Sequence, residues 1–281
     1  MPSFGIVIVN YNSADDTQLC VQSIEQHTPD TLAEIIIVDN ASPDHSGRLL
    51  RQRLPQCRVI LSDENNGYAA GVNLGAAHLK TDYILILNPD SEFVDSSIDD
   101  AVALLADHPR LGLLGLKLVY PDGTPQYSAR RFYSVTTALG RRTVLGRTSL
   151  GQRLEAEHLM KDQWRAPFFF ADWVLGTGML ARTTAFRSVG GMDEHFFLYL
   201  EDTDLCARMW LAGWEIAATP LARLAHKHRR ASKRSLFSPA HREHLNSFIK
   251  YTRKYPMPIL GHGTLHAPLW DKTMRAAGRV A

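Results

Sequence analysis

Two carboxylate clusters have the residue types and the placement for chemistry. Glu201 and Asp202 follow the apolar and aromatic run Phe196, Phe197, Leu198, Tyr199, Leu200, and they open a helix-like stretch that reaches Leu211 and closes at Gly213. The second cluster, Asn88-Pro89-Asp90-Ser91-Glu92, directly follows the strand-like Tyr83-Ile84-Leu85-Ile86-Leu87. Acids are favoured in the first turn of any helix because the helix dipole stabilises them there, and taken alone Glu201-Asp202 needs no more than that. Two such clusters at strand and helix ends suggest one metal site and one base.

Asn88-Pro89-Asp90 has the form of a metal-diphosphate motif whose last residue, Asp90, ligates a divalent cation. Hard cations such as Mg²⁺ or Mn²⁺ bind through one or two protein carboxylates plus substrate phosphates. As a helix N-cap, Ser91, Asp95 or Ser96 would serve better than Asp90. His226-Lys227-His228 offers two further ligands, because alternate residues of a strand share a face. The other reading of these histidines, in a basic run without close acidic ligands, is anion binding.

Asp39-Asn40-Ala41-Ser42 ends an apolar run and suits a strand-to-helix turn. A carboxylate fixed at a rigid strand end can also accept the imide N–H of uracil or thymine. In Asn65-Asn66-Gly67-Tyr68-Ala69-Ala70-Gly71-Val72-Asn73-Leu74-Gly75, small residues leave room for a ligand beside the backbone. Tight helix-to-sheet packing accounts for Gly75 but not for Asn73, a poor helix former.

The elements that must position these groups follow the pattern of a mostly parallel α/β sheet with helices on its faces. Strands are expected at Phe4 to Val9, Glu34 to Val38, Arg58 to Leu61, Tyr83 to Leu87 and Leu111 to Tyr120. Helices are expected at Ala14 to His27, His45 to Arg53, Ala69 to Lys80 and Ser97 to Asp107. Each of the first four strands ends in a polar cluster, where ligands bind in open α/β sheets. Residues 126–164 carry no assignable pattern. Between Phe168 and Ala181 the interruption Gly176-Thr177-Gly178 implies a bulge or a close backbone approach.

The 281 residues are 45% hydrophobic, enough for one large domain with a C-terminal appendage. Lys and Arg number 31 against 29 acids, so nothing global favours nucleic acid. Basicity is local. No acid falls between Glu215 and Glu243, whereas Arg223, His226, Lys227, His228, Arg229, Arg230, Lys233, Arg234 and Arg242 all do. That stretch suits an anionic lipid surface or a diphosphate. Three dispersed cysteines, Cys20, Cys57 and Cys206, argue against a disulfide framework and fit a reducing cytoplasm. The N-terminal stretch has no signal-peptide character and no apolar run is long enough to span a bilayer.

Taken in order, Val9-Asn10-Tyr11-Asn12, Val38-Asp39-Asn40-Ala41-Ser42, Asn66 to Gly75, Asn88-Pro89-Asp90, and Gly190-Gly191-Met192-Asp193-Glu194 through Glu201-Asp202-Thr203-Asp204-Leu205-Cys206-Ala207-Arg208 resemble the family 2 inverting glycosyltransferases, most closely the rhamnosyltransferase branch. The resemblance spans roughly Phe4 to Leu236. It implies a GT-A catalytic domain over residues 1–236, with a nucleotide-sugar half to about 120 and an acceptor half beyond, and a helical or irregular extension over 237–281. It implies nucleotide-sugar binding by Asn10, Tyr11, Asn12, Asp39, Asn66, Gly67, Asn73, Asn88 and Asp90, with Trp173 and Gly176 in the loop that shapes donor choice. The metal, Mg²⁺ or Mn²⁺, would lie on Asp90 with His226 or His228. Asp202 would be the base, kept ionised by the helix start, with Glu201 secondary. Asn88 departs from the family, in which many members carry Asp, and this predicts weaker metal binding.

The activity implied is transfer of L-rhamnose from dTDP-rhamnose, or another sugar from a dTDP- or UDP-linked donor, to a saccharide or lipid-linked saccharide. The location implied is the cytoplasm or the cytoplasmic face of the membrane. Two rivals share the fold class: a nucleotidyltransferase of sugar phosphates and a non-catalytic nucleotide-sugar-binding protein. Asn10-Tyr11-Asn12 after the first strand, in place of a Gly-rich basic loop, disfavours the first. The presence of both Asp90 and Asp202 disfavours the second.

Overall fold

The computed structural model describes residues 2–27, 29–140, 146, 148–227, 239–255 and 257–259. The chain runs β1 (Phe4–Asn10), α1 (Ala14–His27), β2 (Leu32–Asp39), α2 (Ser46–Arg53), β3 (Arg58–Leu61), α3 (Gly67–His78), β4 (Tyr83–Leu87), β5 (Ser91–Phe93), α4 (Ile98–Asp107) and β6 (Leu111–Val119). It continues through β7 (Pro125–Gln126), β8 (Ala129–Arg130), α5 (Val135–Gly140), α6 (Ser149–His158), a 3₁₀ turn (Lys161–Arg165), β9 (Phe169–Phe170), β10 (Trp173–Val174), β11 (Met179–Arg182) and α7 (Thr183–Ser188). The last elements are α8 (Glu201–Leu211), β12 (Glu215–His226) and α9 (Pro239–Lys254).

The main sheet has the order β3-β2-β1-β4-β11-β6-β12-β5. Its first four strands are parallel. From β11 onward it is mixed, because β11 runs antiparallel to both β4 and β6 while β12 returns parallel to β6. The expected strands and helices of the first half are present, with ends shifted by a few residues.

Side-chain alternation divides the core between the two faces of the sheet. Val7, Val9, Ile36, Val38, Ile84 and Ile86 point to the side covered by α3 and α8. Phe4, Ile6, Ile8, Ile35, Ile37 and Leu85 point to the side covered by α1, α2 and α4. Helix α3 lies unusually close to the sheet. A Cβ at Gly75 would come within 2.6 Å of Val7, and one at Gly71 within 2.8 Å of Val9. In the expected C-terminal extension, Tyr251 of α9 and Tyr255 just after it join the same core as α8. Among the described residues no helix is long and apolar enough to cross a membrane. The three cysteines are buried and free.

Candidate active site

Asn10, the last residue of β1, and Asp39, the last of β2, are paired neighbours in the sheet. Asn10 has no exposed surface and donates from Nδ2 to Asp39 Oδ1 at 2.6 Å and to Ser46 Oγ at 2.9 Å. Its Oδ1 accepts from Thr17 Oγ1 at 2.9 Å and Ser13 Oγ at 3.1 Å. Asp39 also accepts from the Ser42 hydroxyl at 2.6 Å and the Ser42 backbone N–H at 3.1 Å. Asn10 is therefore engaged in fixing Asp39 rather than facing a ligand. Beyond it the chain surfaces: Tyr11 is exposed, and Asn12 takes a left-handed φ of 52° with its N–H on Ser42 Oγ.

Gly67 opens α3 at φ +90°, and a side chain there would collide with the backbone of Phe197. The next N–H, of Tyr68, donates to Phe197 O at 2.8 Å. Glycine thus lets α3 abut the segment that leads into Glu201. Asn73 ties a second point of that segment: its Nδ2 donates to Met192 O and Glu194 Oε1, and its Oδ1 accepts from Met192 N, all at 2.8 Å. Asn40, Ser62, Asn66, Ala70, Asn73, Leu74 and Glu194 line a cleft of about 390 Å³ beside the ends of β2 and β3.

Asp90 and His226 meet across the sheet because the end of β12 pairs with β5, placing His226 opposite Ser91. His226 Nε2 lies 3.2 Å from Asp90 Oδ1, and Nδ1 lies 2.6 Å from Gln126 Oε1. With Nδ1–H donating to Gln126, the Nε2 lone pair faces a carboxylate oxygen. Two acceptors so placed need a cation between them, a proton or a metal ion. The pair suits a divalent ion whose other ligands come from substrate phosphates. Among the described residues no group of three metal-ligating side chains assembles.

His228 lies outside the described residues, as do Arg229, Arg230, Lys233 and Arg234. Two described cations of the basic stretch pair with acids from elsewhere in the chain. Lys227 binds Glu92 at 2.7 Å and Asp16 at 3.5 Å, and Arg223 binds Asp95 at 2.7 Å.

The tripeptide Gly176-Thr177-Gly178 draws these parts together. Gly176 N donates to Asp202 Oδ2 at 2.9 Å, and Gly176 O accepts from Tyr68 Oη at 2.8 Å. Thr177 Oγ1 accepts from Asn88 N at 3.0 Å and pairs with Ser91 Oγ at 2.8 Å. One short loop therefore fixes the start of α3, the Asn88-Pro89-Asp90 turn and the start of α8. The expected close backbone approach is there. At Gly176 itself a Cβ would sit in ordinary contact, 3.6 Å from Asp202 Oδ2 and 3.8 Å from Glu201 Oε1, so both carboxyls converge on this residue.

Tyr199 and Leu200 enter α8 with φ of 70° and 68°. Two successive non-glycine residues in the left-handed region cost on the order of 1–3 kcal/mol each, a strain found mostly at functional sites. Helix α9 restrains this turn. Lys254 Nζ reaches Asp193 and Asp204 at 2.7 Å each, Tyr255 Oη donates to Asp204 at 2.8 Å, and Ser247 Oγ donates to Leu198 O at 2.8 Å.

Burial raises the Asp202 carboxyl above its ordinary range, opposed by hydrogen bonds from the Thr203 and Gly176 N–H groups and by the charge of Arg130. The expectation that the helix start alone keeps Asp202 ionised is thus modified: desolvation outweighs it, and fixed donors and a cation act against desolvation. Burial also pushes Glu201 well up, reinforced by the neighbouring Asp202 charge. Tyr68 is raised by burial and further by the charges of Glu201, Asp202 and Asp90.

Trp173, expected to shape donor choice, is buried in the core with its indole N–H on Arg131 O at 2.9 Å. It instead backs Arg130, whose guanidinium carbon lies 5.5 Å from its ring centroid and which sits opposite it in the β8–β10 ladder. Sequence reasoning missed Arg130, Gln126 and Tyr68 as site residues. Tyr68 falls inside a motif that was singled out, whereas Arg130 and Gln126 fall in a stretch without periodicity.

The mixed α/β sheet, with Asp39 at the end of β2, Asp90 after β4 and Asp202 at the start of α8, has the GT-A architecture. Solved structures of that fold superpose on it. The mannosyltransferase PcManGT from Pyrobaculum calidifontis, in complex with GDP-Man and Mn²⁺, gives a TM-score of 0.63 at 17% identity, covering 100% of this chain and 76% of that one. GalNAc-T7 with UDP, GalNAc and Mn²⁺ also gives 0.63 at 17% identity, covering 89% of this chain and 48% of that one. The glycosyl transferase family 2 profile matches residues 5–171, and the chain belongs to that family. A second profile, described as the N-terminal domain of galactosyltransferase, matches residues 158–230. N-acetylglucosaminyl-diphospho-decaprenol L-rhamnosyltransferase of Mycobacterium tuberculosis is 29% identical over 259 residues, 87% of this chain and 82% of that protein. Rhamnosyltransferase WbbL of Escherichia coli K12 is 28% identical over 264 residues, 88% and 91% of the two chains. The protein is a glycosyltransferase.

Proposed function

We propose that this glycosyltransferase moves L-rhamnose from dTDP-rhamnose, with inversion, to a saccharide carried on a lipid diphosphate during assembly of a bacterial cell-surface polysaccharide. The observation that carries the sugar and acceptor class is the similarity, over 87% of the chain, to an enzyme named for rhamnosyl transfer to an N-acetylglucosaminyl-diphospho-lipid. The site supports the reaction type. Asp39 would read the pyrimidine, with Asn12, Asn66 and Gly67 shaping the nucleotide cleft and Asn88 reaching the ribose.

In the transfer, the acceptor oxygen forms a bond to the anomeric carbon as the bond from that carbon to the diphosphate oxygen breaks. The electron pair leaves with the nucleoside diphosphate, and the proton of the acceptor hydroxyl passes to Asp202. The fixed donors on Asp202 hold it ionised for that step. Asp90 and His226 would hold a divalent cation, which supplies charge compensation for the departing diphosphate. A lipid-linked acceptor would place the enzyme at the cytoplasmic membrane face, held there by the basic stretch.

The test is direct. Purified protein is screened by thermal shift against dTDP-rhamnose, UDP-sugars and GDP-mannose, since a ligand bound only by the native state raises the melting temperature. Transfer to an N-acetylglucosaminyl-diphospho-lipid is then measured. A shift with GDP-mannose alone, or hydrolysis without transfer, defeats the assignment.

A further inference from the structure

We propose that Glu201 and Asp202 share one site and one proton, with Glu201 carrying the proton as a neutral acid so that Asp202 alone is the base. The inference rests on the reading of Asp202 above and adds a defined state for its neighbour.

Convergence is the first argument. Consecutive residues of a helix point about 100° apart, yet Asp202 Oδ2 and Glu201 Oε1 both come within 3.8 Å of the same notional Cβ at Gly176. Both side chains are at least nine-tenths buried. Two carboxyls brought together in a low-dielectric site do not both ionise, because like charges there repel strongly.

Hydrogen bonding decides which one keeps the proton. Asp202 receives the N–H of Gly176 at 2.9 Å, the N–H of Thr203 at 2.7 Å and the Thr203 hydroxyl at 3.2 Å. Bonds of this kind stabilise an anion. Glu201 Oε2 is buried and has no hydrogen-bond partner among the described residues, and the one influence from these residues that favours a charge on this carboxyl is its own backbone N–H. An ionised oxygen in that position would carry the full desolvation penalty.

The surrounding charges agree. Arg130 bears on Asp202. Asp204, the other acid of the turn, is neutralised by Arg208 and Lys254 and hydrogen-bonded by Tyr255. From α3, Tyr68 contributes a neutral hydroxyl already donated to Gly176 O, with Asp90 the next acid beyond it. Cys206, one turn along α8, is a buried neutral thiol raised by burial. No described cation is paired with Glu201. A neutral Glu201 keeps the pair at one negative charge and leaves the proton-accepting role to one oxygen pair, on Asp202. Glu201 is in this sense a positioning residue.

The sign of the stability effect follows. The folded state keeps the Glu201 proton to a higher pH than the unfolded chain does. Native protein therefore binds more protons above the ordinary glutamate range, and stability falls as pH rises through that window. Glu201→Gln removes this dependence, so the melting temperature of the variant minus that of wild type should grow steadily from pH 5 to pH 8. The direct measurement is infrared difference spectroscopy of the intact protein at pH 7. The C=O stretch of a protonated carboxylic acid should be present, should shift when glutamate carboxyls are ¹³C-labelled, should persist in Asp202→Asn and should vanish in Glu201→Gln.

Turnover adds a third readout. Glu201→Gln should keep the acid limb of the kcat profile near its wild-type position, whereas an ionised Glu201 predicts a limb moved to lower pH once its charge is removed. A flat melting-temperature difference, no protonated-acid band in wild type, or a band that ignores the glutamate label each overturn the proposal. The spectroscopic and thermal readouts need no sugar nucleotide. If the donor or acceptor assignment fails, they still decide this point.

Discussion

Asp39 and Glu201 are carboxyls at the same level of burial, 5% exposed each, in opposite surroundings. Asp39 is surrounded by donors: Asn10 Nδ2 and the Ser42 hydroxyl each at 2.6 Å, and the Ser42 N–H. Glu201 converges with Asp202 on Gly176 and has one oxygen lacking any partner among the described residues. At the end of β2 the fold thus supplies Asp39 with its hydrogen-bond donors in advance, an arrangement suited to binding. At the start of α8 the donors are divided unequally: Asp202 receives three, and Glu201 Oε2 has none among the described residues. Burial alone does not decide which of two buried acids can carry a charge; the count and charge of the donors around it do.

The largest effect expected from breaking this contrast is at the base. Asp202→Asn removes the proton acceptor; its single amide oxygen can keep the Gly176 N–H now on Oδ2 or the Thr203 donors now on Oδ1, with the amide nitrogen facing the other. Transfer should fall by about 10²–10⁴-fold, with dTDP-rhamnose binding by calorimetry close to wild type. Transfer within a few-fold of wild type would remove Asp202 from the base role.

How far the sequence made this contrast legible depended on the range of the interactions. The first half of the chain was readable because its strands are apolar runs that each end in a polar cluster, a local pattern. Asp39, Asp90 and Asp202 were visible for the same reason. The second half hid its organisation. Strand β12 carries Pro220 where its pairing with β6 slips between Thr219 and Arg223, so it lacks a clean alternation. The two-residue strand β8 is too short for any period, which concealed Arg130. The contacts of Lys254 and Tyr255 with Asp204 span about fifty residues and leave no local trace. Trp173 looked like a ligand aromatic and proved to be core, a distinction that depends on what packs over it.

The second effect concerns the Asp90–His226 pair. Gln126 accepts from His226 Nδ1 and thereby directs Nε2 at Asp90. If that pair holds the cation, Gln126→Leu should weaken Mn²⁺ binding by about 10–100-fold, the usual cost of losing an outer partner of a metal-ligating histidine. Manganese titration of turnover in chelator-treated protein would show it. Full turnover in chelator would instead leave the diphosphate charge to basic side chains.

A third effect should appear in stability rather than chemistry. Asn10→Ala leaves Asp39 Oδ1, Thr17 and Ser13 without a shared buried partner. Urea denaturation should show a loss of about 1–3 kcal/mol. Glu201→Gln, by the opposite logic, should raise stability at neutral pH. A neutral result for Asn10→Ala would mean that the donors around Asp39 reorganise and that the two halves differ less than their geometry indicates.

The smallest effect expected is at Tyr68, where the two halves touch. Its hydroxyl donates to Gly176 O while the Gly176 N–H donates to Asp202, so one residue links α3 to the carboxyl proposed as base. Burial and three nearby carboxyls keep this phenol protonated far above neutral pH, so it remains a donor throughout any working range. Tyr68→Phe removes that single bond and keeps the ring in place. A typical hydrogen bond contributes about 0.5–1.5 kcal/mol. If that amount is lost from the alignment of Asp202, kcat should drop roughly two- to tenfold, by the usual conversion of barrier into rate. KM for the donor should hold, because the nucleotide cleft is lined by Asn40, Ser62, Asn66 and Asn73 rather than by this hydroxyl. The drop should also be the same at pH 6 and pH 8, since the lost group does not titrate there. A change confined to KM would place Tyr68 in donor binding, and an unchanged kcat would show that Gly176 holds Asp202 without help from α3.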